Sequence, residues 1–153
     1  MRYLIILVSL MALSTSCSTD PEPIRYGEDN CAHCQMTIMD HRYGSEIVTD
    51  KGKIYKFDSV ECLVEFINDK KDGDEVFSLM LCTPFNQPGQ LADATECSYL
   101  HSRNLPSPMG MYLTAYETEA TAYSFKDQFG GKVYCWEKLN ENFKLLRQKV
   151  ATN

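Results

Sequence analysis

The sequence predicts an α+β fold, on three observations. Short β-prone runs are interleaved with amphipathic helical runs, without the regular strand–helix–strand repeat of a doubly wound sheet. In the first half a hairpin pattern leads directly into a run with apolar residues at helical spacing. In the second half a strand, a helix closed by two glycines and another strand follow one another. The chain has 153 residues, 44% of them hydrophobic, which suits one domain or two small ones.

At the start, Arg2 is followed by an apolar run from Tyr3 to Leu13 and then by small residues. That is the order of a secretory signal, and the run falls short of the roughly 20 residues that a membrane-spanning helix needs. Ser14-Thr15-Ser16-Cys17 resembles a serine-rich lipobox of bacterial lipoproteins. The resemblance implies a signal peptide over residues 1–16, lipidation of Cys17, and a lipid-anchored protein facing the periplasm. Residues 17–29 read as a tether, because Ser18 to Pro23 is polar and broken by proline.

Loss of residues 1–16 removes Arg2 and no acid, so the mature chain is one unit more negative than the −6 of the whole. Nucleic acid is a poor partner for such a charge. Six cysteines follow Cys17; in an exported protein they could form disulfides, whose pairing spacing does not give.

The first unit spans residues 30–88. Ser45–Thr49 and Lys53–Phe57 are β-prone runs joined by Asp50-Lys51-Gly52, a hairpin turn. Asp58 or Ser59 then caps a helix carrying Val60, Leu63, Val64, Phe66 and Ile67 on one face. "EVFSLMLC", residues 75–82, reads as a strand, and the proline-rich stretch after it as a loop. Residues 89–153 form a second α+β unit: a strand over 109–117, a helix capped by Thr118 and stopped at Gly130-Gly131, a strand over 132–139, and a final helix over 137–149 with Leu139, Phe143 and Leu146 on one face.

"NCAHCQMTIMD", residues 30–40, concentrates soft donors. Thiolate with thioether selects copper(I) over zinc, and Cys34 and Met36, two residues apart on an extended segment, point the same way. Met109 lies between Pro108 and Gly110 in "LPSPMGM"; on the residues alone it is either a ligand or a gap-filling core methionine. His33 could join the metal, support its ligands, or be a solvated loop residue, and the role of Cys31 is open. Met39 and Met111 lie in runs that read as core. Cys62, Cys82 and Cys135 read as buried small hydrophobes or disulfide partners, with Cys82 and Cys97 paired on chain proximity.

Three stretches together, "CAHCQMTIMD", "IYKFDSVECLVEF" and "SPMGMYLTAYETEATAYSFKDQFGGKVYCWEKL", resemble the NosL family, the accessory lipoproteins of nitrous oxide reductase. The resemblance runs from about Cys31 to Leu139. It implies two small ββα-type units similar to a module of organomercurial lyase, and a copper(I) chaperone rather than an enzyme. By the same resemblance the metal ligands are Cys34, Met36 and Met109. The implied partners are apo nitrous oxide reductase, whose copper-sulfide cluster would receive the metal, and its copper-site maturation transporter. Two other readings compete: a thiol-disulfide oxidoreductase using Cys31 and Cys34, and a structural zinc clasp. No helix pattern follows Cys34 to acidify a first thiol, and the second Cys-x-x-Cys of a zinc clasp is missing.

Overall fold

A computed structural model describes residues 19–71 and 73–152. Residues 1–16, read as a signal peptide, and Cys17 fall outside them. The elements are β1 (Ser45–Thr49), β2 (Ile54–Phe57), α1 (Val60–Asp69), β3 (Phe77–Cys82), β4 (Ala92–Asp93), β5 (Ser98–His101), β6 (Leu113–Tyr116), α2 (Glu119–Phe129), β7 (Lys132–Cys135) and α3 (Trp136–Ala151). Strands and helices are mixed in an α+β arrangement, as the sequence predicts.

Two antiparallel sheets form, ordered β2-β1-β3-β4 and β6-β5-β7. In each, a strand pairs first with its hairpin partner and then, on its other edge, with the strand that returns after a helix. Ile47 of β1 lies opposite both Tyr55 and Met80, and Leu100 of β5 opposite both Thr114 and Val133. The chain therefore contains a ββαβ unit twice, β1-β2-α1-β3 and β5-β6-α2-β7. The sheets are stitched where the Phe85 N–H donates to the Ala115 carbonyl at 2.8 Å.

β1 is central and all five of its residues are buried. Ile47, Phe57 and Leu63 of the first unit meet Tyr99 and Leu113 of the second in one core, closed on one side by Leu139, Phe143 and Leu146 of α3. A smaller cluster of Leu100, Leu105, Tyr116 and Ala122 lies under α2.

Three differences from the sequence reading have local causes. The strand over 109–117 is cut to Leu113–Tyr116, because Gly110 and Tyr112 take left-handed φ of 70° and 59° and turn the chain at Met109–Tyr112. The strand over 132–139 ends at Cys135, since Trp136 already begins α3. Cys135 consequently sits exposed at that junction instead of buried. Met39 is 66% exposed rather than core, for Ile38 takes the interior position at 0% and consecutive side chains of an extended segment point to opposite sides.

The segment read as a tether is docked from Glu22 onward. The Glu22 N–H donates to Glu46 Oε1 at 3.0 Å, and Lys56 Nζ reaches the Pro23 carbonyl at 3.0 Å and Asp29 at 2.9 Å. Ile24 and Tyr26 lie so close over Gly44 that a Cβ there would meet them at 2.8 and 2.6 Å.

Candidate metal centre

The loop carrying Cys31 and Cys34 is built by backbone hydrogen bonds. The Cys31 N–H donates to the Met36 carbonyl at 2.8 Å, the Gln35 N–H to the Cys31 carbonyl at 3.0 Å, and the Ala32 N–H to Lys56 of β2 at 2.8 Å. Gln35 closes the turn with φ of 65°. The loop is thereby fixed against the strand that feeds α1. Cys62, in the first turn of α1, faces it. The three sulfurs of Cys31, Cys34 and Cys62 all lie within 4.8 Å of one another, the only such cluster of potential metal ligands among the described residues.

The cluster is electrostatically asymmetric. The Cys31 thiol is held down to about 5, first by the Cys62 thiol donating to it and then by the backbone N–H groups of Asp58, Cys34 and His33, against the opposing effect of burial. Of the three sulfurs, Cys31 is the one that gives up its proton first. Cys34 is pushed up by burial and by the neighbouring Cys31, although the Met36 N–H opposes this. Cys62 is pushed up by its bond to Cys31, by burial and by the charges of both other sulfurs. One easily ionised sulfur and two that hold their protons are ready to become three thiolates around a cation, because a metal ion removes the repulsion that holds the last two protons on.

Beside the cluster lies a buried carboxylate. Glu61 accepts from the hydroxyls of Ser107 and Ser59 and from the Leu113 N–H at 3.2 Å, and from the Met109 N–H. It fastens the 107–113 loop to α1, next to Cys62. Burial pushes its pKa up to about 7.

The family profile of NosL matches residues 25–143. The chain belongs to the NosL family. Its fold is similar to that in the crystal structure of the copper chaperone NosL from Shewanella denitrificans, with a TM-score of 0.68 and 18% identity over 79% of this chain and 96% of that one. No curated protein matches the chain.

In this NosL chain the sequence-predicted residues fall in four places. Cys34 and Cys31 are in the thiol cluster. Met36, 47% exposed, follows Cys34 and lines a surface cavity of about 380 Å³ with Met39, Asp58 and Pro108. Met109 is partly buried against the core and lines a separate cavity of about 160 Å³ with Glu61, Glu65 and Arg147. Both ring nitrogens of His33 face carboxylates, Nε2 2.8 Å from Glu65 and Nδ1 3.8 Å from Asp69, and Glu65 in turn meets Arg147 of α3 at 2.6 Å. The imidazole pins the cysteine loop to α1.

Cys62 is the member of the thiol cluster that the sequence reading did not place there. In "VECLVEF" it occupies an apolar position of a helical pattern and looks like a small core residue. The available signal was its place three residues after the helix cap, at the end of β2 against which the cysteine loop packs. Cys31-x-x-Cys34 itself lies in turns, with no helix starting from it, so the helix N-terminus that acidifies the thiol of many redox dithiols is missing here.

Proposed function

We propose that this NosL chain is a copper(I) chaperone, holding one ion between Cys31, Cys34 and Cys62 and passing it to a copper enzyme by ligand exchange. The observation that carries the reading is the cluster of three thiols on one side of α1. A soft, low-coordinate d10 ion suits three sulfurs. The role is binding and delivery, without chemical turnover.

Met36 and Met109, expected as ligands from the family resemblance, line two separate cavities. The Met36 N–H supports Cys34 and that of Met109 supports Glu61, the neighbour of Cys62. In the proposal their thioethers complete or relay the metal, and half-exposed Met36 faces the receiving protein. His33 supports the loop and is not a ligand.

The destination we infer is apo nitrous oxide reductase, for its copper-sulfide cluster, together with the transporter that serves that site. The place is the periplasmic face of the envelope, through lipid on Cys17. Among the described residues no helix is long and apolar enough to cross a membrane.

Anaerobic titration with copper(I) against a competing chelator tests the site. One ion per chain is expected, with proton release on binding. Affinity should fall in Cys34→Ser and Cys62→Ser by roughly tenfold or more, about 1.4 kcal/mol per decade, and by less in Met36→Leu and Met109→Leu. Unchanged affinity in both serine variants overturns the assignment. Stoichiometric zinc that resists mild chelation, in protein purified without added metal, would return the structural-clasp reading. For the client, cells lacking this chain should assemble reductase without its copper-sulfide cluster, and Cys34→Ser should not restore it.

A further inference from the structure

A second pair of thiols lies outside the metal centre, where the two ββαβ units join. Cys82 ends β3 and Cys97 immediately precedes β5, and each thiol perturbs the titration of the other. Both are buried. Their surroundings are fixed from two sides. Cys82 pairs with Ala92 of β4, and the Cys97 N–H donates to the carbonyl of Asp93, next along that strand, at 3.2 Å. Tyr99 holds the base of the pair, its hydroxyl donating to the Ala94 carbonyl at 2.6 Å and lying 3.6 Å from the Cys82 sulfur.

We propose that Cys82 and Cys97 are a redox site, oxidised by a thiol-disulfide oxidant of the envelope to a disulfide that links the two units, while the metal thiols stay reduced. The two cysteines are not equivalent. Cys97, although only 3% exposed, borders an open cavity of about 350 Å³ with Asp93, Glu96 and Glu117, so a small opening on that side would let an incoming disulfide reach its sulfur. Cys82 is sealed behind it. The neighbouring Cys82 also lowers the Cys97 thiol, while Cys97 and burial push Cys82 far up.

The order of events follows. The Cys97 thiolate attacks the oxidant's S–S bond, forming a mixed disulfide and expelling one thiolate, which takes up a proton. Cys82 then loses its proton and attacks the Cys97 sulfur, expelling the second thiol. Two cysteine thiols are oxidised, one disulfide is reduced to two thiols, and the protons balance. The product closes the segment of residues 83–96 between the units, which restricts the unfolded chain and stabilises the fold. The acidic groups around Cys97 disfavour an anionic oxidant and favour a neutral or cationic one.

The test uses the full chain purified in detergent, with and without one bound copper(I). It is exposed to 2-hydroxyethyl disulfide, denatured with a copper chelator, alkylated and mapped by mass spectrometry. A peptide pair joined through Cys82 and Cys97 is expected in both samples, with Cys31, Cys34 and Cys62 recovered as alkylated thiols in the copper-bound one. In Cys82→Ser a hydroxyethylthio adduct should accumulate on Cys97. In Cys97→Ser, Cys82 should carry no adduct. Reduction of the linked protein should lower its melting midpoint by several degrees. Recovery of Cys82 and Cys97 as free thiols, a link from Cys97 to exposed Cys135, or an adduct on Cys82 before Cys97 would overturn the proposal. The metal-free sample scores this pair whatever the copper titration gives.

Discussion

The two ββαβ units share an order of strands but not a use for the start of their helices. Phe57-Asp58-Ser59 and Tyr116-Glu117-Thr118 each end the second strand with an aromatic residue, an acid and a hydroxyl at the cap. Both caps are extended, with φ of −159° and −129°. In the second unit the Thr118 hydroxyl accepts from the Thr121 N–H at 3.2 Å, an ordinary cap. In the first, Ser59 makes no such bond and turns to Glu61 at 3.2 Å instead. The position matching Thr121 is Cys62. The same place in the fold serves helix stability in one unit and holds a thiol of the cluster in the other, and the first unit forgoes a cap that is worth about 1 kcal/mol.

Reciprocal exchange should break the contrast most sharply. Cys62→Thr should lower copper(I) affinity by roughly 100-fold, about 2.8 kcal/mol, whereas Thr121→Cys should add no second bound ion, because among the described residues the three-ligand cluster is the one at α1. A copper titration of both variants reads this directly, and a second ion in Thr121→Cys would refute the view that the loop, not the helix position, makes the site.

Glu61→Ala should come next. It strands the Ser107 hydroxyl and the Leu113 N–H in the interior, where each unpaired buried group costs about 1–3 kcal/mol. Denaturant unfolding should show a loss of that order, and the matching change at Ala120 of the second unit, to Gly, should cost only about 1 kcal/mol. Thr118→Ala should cost about 1 kcal/mol through loss of the cap, measured in the same way.

The smallest effect concerns pH and the strap on β1. Burial raises the pKa of Glu46 above the carboxylate value of 4.5, and among the described residues its Oε2 has no hydrogen-bond partner. The folded chain keeps that proton to higher pH than the unfolded chain does. The unfolded state therefore binds fewer protons above pH 4.5, and Glu46 makes stability decline as pH rises through the folded value. Glu46→Gln should flatten that decline in unfolding curves taken from acid to neutral pH, and an unchanged slope would exclude Glu46 as its source.

The first unit was the more legible in sequence because its signals are local. The hairpin at Asp50-Lys51-Gly52 and the apolar stripe from Val60 to Ile67 each declare one element. β5, the centre of the second sheet, has only four residues, "SYLH", and Ser98, Tyr99 and Leu100 are all buried. Such a run shows neither alternation nor helical period. At the metal centre, the soft-donor loop is contiguous and stood out, while Cys62 comes from a helix whose apolar pattern absorbs it. Only the pairing of β2 with β1 and the packing of the cysteine loop on β2 bring the third sulfur in.

The docked N-terminal segment also bears on how a partner is met. With lipid on Cys17, as proposed, five residue steps separate the anchor from Glu22, where the chain is already fastened to Glu46. Fully stretched, that leash spans about 17 Å. The metal centre would then sweep a thin layer next to the bilayer, and its search for a receiving protein becomes two-dimensional. Acceptors whose entrance stands far from the membrane would be out of reach, however well their ligands compete for copper.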